Sequence, residues 1–237
     1  MIDFATAPAA LAPGRRVYAI GDIHGCAVRL AALHAVIAED LAARPAASAL
    51  VLHIGDYVDR GPDSAGVLAA LIAGPRLPDR VEVVNLMGNH EHTMREALAG
   101  ERAAGTDWLF AGGKPTLESY GIDPEGPREA WAGVPAAHRD FLAGLRMYHE
   151  EGGYLFVHAG IRPGIALAAQ APEDLLRIRQ PFLYTDQDLG AVVVHGHTPV
   201  KAPVVRANRI AIDTGAVFGG ALTAAVLEGD RIGFLAA

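Results

Sequence analysis

Five short polar clusters, each set directly after an apolar run, constrain this chain more than any bulk property. They are GDIHG (residues 21–25), GDYVDRG (55–61), GNHE (88–91), HAG (158–160) and HGHT (195–198). The runs that precede them read as strands at 17–21, 50–55, 82–88, 154–158 and 191–196, because short apolar segments ending in turn residues are the signature of buried strands. In open α/β sheets, sites are built just beyond the carboxyl ends of strands. Five such ends gather Asp, His and Asn into one crevice.

The intervening segments support this. Leu30, Leu33, Ile37 and Leu41 form one apolar helical stripe that Pro45 helps to stop, and a second helix over 64–72 is closed by Gly74-Pro75. Three successive strand–turn–helix units predict right-handed crossovers and a largely parallel sheet. Residues 92–151 change to helix and loop, read as a cap inserted into a single domain spanning 1–237. Strands then return at 154–158, 191–196, 209–213, 221–228 and 231–235, the last two joined as a hairpin by Gly229-Asp230. The sum is an α/β chain with two sheets packed together and flanked by helices.

Composition narrows the function. With 237 residues, 51% of them apolar and 20% charged, the chain reads as globular. A net charge of −7 argues against an extended nucleic-acid interface. Cys26 is the sole cysteine, which excludes an internal disulfide and a cysteine-based zinc site. The opening MIDFATAPAALAPG reads as a loose leader and no apolar run has membrane-spanning length, so the expectation is a cytoplasmic protein with no membrane partner.

The donor set itself is informative. Carboxylate, imidazole and amide oxygen together suit borderline divalent metals, whereas calcium prefers oxygen throughout and magnesium fits poorly with several imidazoles. A shared carboxylate can hold two cations about 3.5–4 Å apart, as two-metal hydrolysis requires. Individually, each residue has a plainer reading. Asp22 could cap the following helix, His34 and His53 could be core or helix-surface residues, and Cys26 a small packed side chain.

GDIHG, GDYVDRG, GNHE, HAG and GHT, in that order, resemble the signature series of the phosphoprotein phosphatase family within the calcineurin-like metallophosphoesterases. The short chain and its HAG and HGHT forms are most similar to bacterial and phage serine/threonine protein phosphatases. The resemblance implies a four-layer αββα sandwich of two mixed sheets. It implies that Asp22 and His24 bind one metal, that Asp56 bridges, and that Asn89, His158 and His197 complete the second site. The cofactors would be two divalent ions, manganese first, with iron, zinc or nickel as alternatives. His90 would be the general acid, oriented by Asp59, while Arg60, Arg162 and Asn89 hold the substrate phosphate. Hydrolysis would proceed by direct attack of a metal-bound hydroxide.

His195 falls outside that ligand set and is expected to pack or support; Glu91 is expected to brace neighbouring backbone, and Asp213 to orient a histidine or close a turn. The expected substrate is a phosphoserine or phosphothreonine protein or a small phosphorylated molecule. The main alternative is diadenosine tetraphosphate or a related dinucleotide, since similar bacterial hydrolases share the GHTP found at 196–199. Trp108, Phe110 and Trp131 are either core residues or stacking surfaces for a base. A non-enzymatic phosphoprotein-binding scaffold is the remaining class.

Overall fold

Alternation along the central strands places two different apolar faces back to back. A computed structural model describes residues 2–78 and 81–237. In chain order its elements are β1 (Ala5–Thr6), β2 (Arg15–Ile20), α1 (Ala27–Ala43), β3 (Ser48–His53), α2 (Ser64–Ala73), β4 (Val81–Asn85) and α3 (Asn89–Leu98). There follow α4 (Arg102–Trp108), a π-helical turn (Leu109–Gly113), α5 (Lys114–Ser119), α6 (Ala136–Ala143), β5 (Tyr148–Glu151), β6 (Tyr154–Val157) and α7 (Pro172–Arg177). The chain ends with β7 (Val192–His195), β8 (Val204–Val205), β9 (Arg209–Ala211), β10 (Thr223–Glu228) and β11 (Arg231–Ala236).

One sheet has the order β1-β11-β10-β2-β3-β4 and the other β5-β6-β7-β9-β8. The β2–β3–β4 and β6–β7–β9 pairings are parallel and the outer ones antiparallel, so both sheets are mixed. Val17, Ala19, Leu50 and Leu52 face Phe156, Val194 and Ile210 between the sheets. Tyr18, Ile20 and Val51 face the opposite way, onto Leu30, Leu33, Ile37 and Leu41 of α1 and Val67, Leu68 and Leu71 of α2. Each of these helix side chains, fully buried, is worth about 1.5–3 kcal/mol. On the far side, Leu155, Val157 and Val193 pack on Leu175, Ile178 and Phe182. The result is the expected αββα layering.

Three short strands escape the sequence reading. β1 lies in the supposed loose leader and pairs with Arg231–Ile232 of β11; β8 pairs with β9; β5, inside the segment read as cap, pairs with β6. They span only two to four residues and are largely exposed or half-exposed, so no hydrophobic alternation marks them.

The helix-side layer also contains a histidine pair. His53, fully buried at the end of β3, has its Nε2 2.9 Å from Nε2 of His34 on α1. Neither ring is hydrogen-bonded or ion-paired to a carboxylate among the described residues.

Candidate metal centre

The parallel strands β2, β3, β6 and β7, with the β4–α3 junction, end on the same side, and their following turns converge. Asp56, after β3, is the hub. Its Oδ2 lies 3.4 Å from His24 Nε2 and 3.9 Å from His90 Nε2, and its Oδ1 lies 3.3 Å from His158 Nε2. Two donor clusters share this carboxylate: His24, Asp56 and His90 on one side, Asp56, His158 and His197 on the other. Asn89 Oδ1 joins the second, 2.9 Å from His158 Nε2 and 2.8 Å from His197 Nδ1.

The turns that present these groups are unusual. His24, Asp56, Asp59, Arg60 and His197 all have φ between 45° and 73°, the left-handed region that L residues avoid. Two glycines permit the close approach: a Cβ on Gly88 would lie 2.3 Å from Asp56 Oδ1, and one on Gly196 would lie 2.0 Å from Asp22 Oδ1. Asp22 does not cap α1; its carboxylate accepts the backbone N–H of His197 at 3.0–3.2 Å.

Outer contacts fix the rings. His24 Nδ1 donates to Val58 O at 2.8 Å and His158 Nδ1 donates to Ile54 O at 3.0 Å, which leaves each Nε2 facing the crevice as a lone-pair donor. Glu91 accepts the backbone N–H groups of Asp56, Tyr57, Val58 and Gly88 at 2.7–3.1 Å, bracing the turn as expected. Asp213 accepts Gly215 N–H at 2.9 Å, the turn-closing option. His195 is buried edge-on to Phe182, its Nδ1 donating to Gly196 O at 3.1 Å. Cys26 is a half-buried free thiol at the start of α1.

The electrostatics call for cations. Burial and the neighbouring Asp213 and Asp56 hold the Asp22 carboxyl well above the usual range. Burial and Asp56 raise Glu91 to about 7. Asp56 is the exception, because His158, His90 and His24 overcome its burial and keep it well below the ordinary value. Burial lowers His24 to about 4, and burial together with His158 lowers His197 to about 3. Neutral imidazoles and crowded carboxylates are the protonation states and charge excess that divalent metals require. His197 turns Nδ1 toward the second cluster, 2.8 Å from Asn89 Oδ1, where a cation would take its lone pair. The residues therefore fit a binuclear divalent-metal centre.

His90 stands apart from the other rings. Burial would lower it, yet Asp56 and the hydrogen-bonded Asp59 raise it above the normal value. Its Nδ1 lies 2.7 Å from Asp59 Oδ2. Asp59 is in turn held by Trp108 Nε1 at 2.9 and 3.1 Å and by Thr116 Oγ1 at 2.7 Å. Trp108 is thus buried, as its core alternative expected, but also carries a polar duty to a carboxylate 49 residues away. Trp131 packs edge-on against it at 5.3 Å, whereas Phe110 is exposed.

The arginines differ. Arg60 reaches the centre, with Nη1 2.8 Å from His24 Nε2. Arg162 is engaged elsewhere, in a two-pronged pair with Asp174 at 2.6 and 2.8 Å on the surface. Arg179, which the sequence reading passed over, is close enough that its positive charge lowers His197. The only local signal was its place in RIRQPF (177–182), shortly after HAG.

A family profile for calcineurin-like phosphoesterases matches residues 15–230, and the chain belongs to that family. With a centre able to take two metals, it is a metal-dependent phosphoesterase. Among its relatives is serine/threonine-protein phosphatase 1 of Salmonella typhimurium, 30% identical over 224 residues that span 90% of this chain and 93% of that protein. Another is an asymmetrical bis(5'-nucleosyl)-tetraphosphatase of Geobacillus thermodenitrificans, 28% identical over 229 residues, 86% of this chain and 87% of that protein; further relatives at 26–27% identity bear the same name. A crystal structure assigned provisionally as a diadenosine tetraphosphatase shares the fold, with a TM-score of 0.66 and 21% identity over 97% of this chain and 98% of that one. No helix among the described residues is long and apolar enough to cross a membrane.

Proposed function

We propose that this chain hydrolyses dinucleoside polyphosphates, with diadenosine tetraphosphate as the type substrate. The observation that carries the choice is the recurrence of bis(5'-nucleosyl)-tetraphosphatases among relatives aligned over most of both chains. This reverses the order expected from the motifs, which put protein phosphatase first. Protein phosphatase activity is the second reading, supported by the 30% identity to the Salmonella enzyme over 90% of this chain.

Asp22, His24 and Asp56 would hold one cation, and Asp56, Asn89, His158 and His197 the other. When bound, the two ions, manganese first in this reading, would supply charge neutralisation at the phosphoryl oxygens and an acidified water. The chain's own groups do the rest. Arg60 would bind phosphoryl oxygens through its planar fork, with Asn89 adjacent. Arg162 would first have to leave Asp174 to share that grip, and Arg179, whose charge reaches His197, is the candidate to take its place.

In the reaction, water oxygen would bond to phosphorus, its proton leaving to solvent, and the bridging P–O bond would break. His90, protonated at Nε2 and held at Nδ1 by Asp59, would give its proton to the leaving oxygen. Asp59 favours the imidazolium that this role needs.

Side-by-side turnover by manganese-loaded protein tests the choice, using diadenosine tetraphosphate and phosphoserine, phosphothreonine and phosphotyrosine peptides. Nucleotide products in quantity support the proposal. Efficient phosphate release from a peptide with negligible dinucleotide cleavage would install the second reading.

A further inference from the structure

We propose that Phe218 is a specificity residue that stacks the nucleobase of the bound substrate; this rests on the dinucleoside polyphosphate reading. Phe218 is 65% exposed, a large apolar ring left in solvent on the rim of the crevice. The Arg60 guanidinium lies over its face, 5.7 Å from the ring centroid, within cation–π range. The residue that would hold phosphate therefore also touches an open aromatic ring. A ligand satisfying both must carry an anionic phosphate and a flat π-surface a short chain away, which describes a nucleoside phosphate.

The ring is presented by a stiff turn. Residues 216–218 form one 3₁₀ turn between Gly215 (φ 69°) and Gly219 (φ 92°). Phe218 N–H donates to Gly215 O at 2.9 Å, Gly220 N–H to Gly215 O at 3.0 Å, and Gly215 N–H to Asp213 at 2.9 Å. Thr214 Oγ1 closes the base of the turn by donating to Ala221 O at 2.6 Å. On the other side, Arg60 N–H donates to Gly112 O at 2.9 Å, and a Cβ on Gly112 would lie 2.8 Å from Arg60 Cγ. Arg60 is thus confined between the π-helical turn and the Phe218 turn. A preorganised ring loses little freedom when a base settles on it.

The test uses manganese-loaded wild type, Phe218→Ala and Phe218→Trp. For diadenosine tetraphosphate, Phe218→Ala should raise KM roughly 10-fold, the loss expected for one base–aromatic stack, while kcat/KM for base-free tripolyphosphate changes by less than about 2-fold. Phe218→Trp should restore the dinucleotide KM. AMP binding measured by calorimetry should weaken roughly 10-fold in Phe218→Ala. Equal losses on tripolyphosphate would assign Phe218 a structural task and overturn the proposal. Equal losses on p-nitrophenyl phosphate, or losses confined to a phosphoserine peptide, would also overturn it, in favour of an aryl ester or a peptide on the ring. If wild type leaves diadenosine tetraphosphate intact, the parent reading falls; unchanged AMP binding in Phe218→Ala sinks the stacking proposal whatever the turnover shows.

Discussion

Two groups of buried and half-buried histidines lie on either side of the β3 strand end, and their difference shows what makes a metal centre. In the crevice, His24, His90, His158 and His197 surround Asp56, with Asp22, Glu91 and Asp213 in electrostatic reach. On the helix side, the rings of His34 and His53 meet at 2.9 Å, and neither is bonded to a carboxylate among the described residues. Both groups are desolvated, and burial lowers His24 and His34 alike to about 4. The contrast is in the acids. The crevice rings sit among excess carboxylate that needs added positive charge, whereas no carboxylate is bonded to either helix-side ring among the described residues.

Chelation is the strongest test of that contrast. Metal removal should abolish phosphoester hydrolysis, and manganese should restore it. The melting temperature should fall with the metal, since at 100-fold excess over Kd a bound ion contributes about 2.7 kcal/mol. Replacing both His34 and His53 by Leu should leave the number of bound ions, counted by elemental analysis, unchanged. A double variant that loses metal would erase the distinction.

His90→Asn should come next, lowering turnover about 100-fold while metal content stays at the wild-type value. Full activity on both an aryl phosphate and a phosphopeptide would remove His90 from the acid role. Trp108→Phe keeps the ring but takes the N–H from buried Asp59; denaturant unfolding should register a loss of about 2 kcal/mol, with a lower kcat. If neither changes, the indole only fills space.

The last test concerns the helix-side pair and is read as a slope against pH. His34 and His53 fall to about 4 and about 3 in the folded chain, from an ordinary 6.5, through burial and, for His53, the charge of its partner. The unfolded chain therefore binds more protons between those values and 6.5. Stability should drop as pH falls below 6.5, by at most about 1.4 kcal/mol per pH unit for each ring. The Leu double variant of the metal-loaded protein should have a flatter profile across that window; identical slopes would assign the acid sensitivity elsewhere.

What could be read from the chain, and what could not, follows from locality. The five clusters are contiguous, and each ends a strand whose apolar run is visible, so layering and donor convergence follow from pattern alone. Trp108 and Thr116 reach Asp59 from 49 and 57 residues away, and nothing beside them in sequence hints at a carboxylate. Arg162 follows HAG closely, yet Asp174, twelve residues on, holds its guanidinium. A guanidinium's target is chosen by tertiary packing, which motif spacing does not encode. The same limit hid Arg179 and the short strands β1, β5 and β8.

The left-handed backbone at His24, Asp56, Asp59, Arg60 and His197 has a consequence for inheritance. Such conformations cost about 1–2 kcal/mol per non-glycine residue, and at exposed Arg60 glycine would relieve that cost without stripping a buried group of its partner. Mutational drift under selection for heat resistance alone would thus run toward GDYVDGG. On the reading proposed above, demand for turnover is what would keep Arg60 in place.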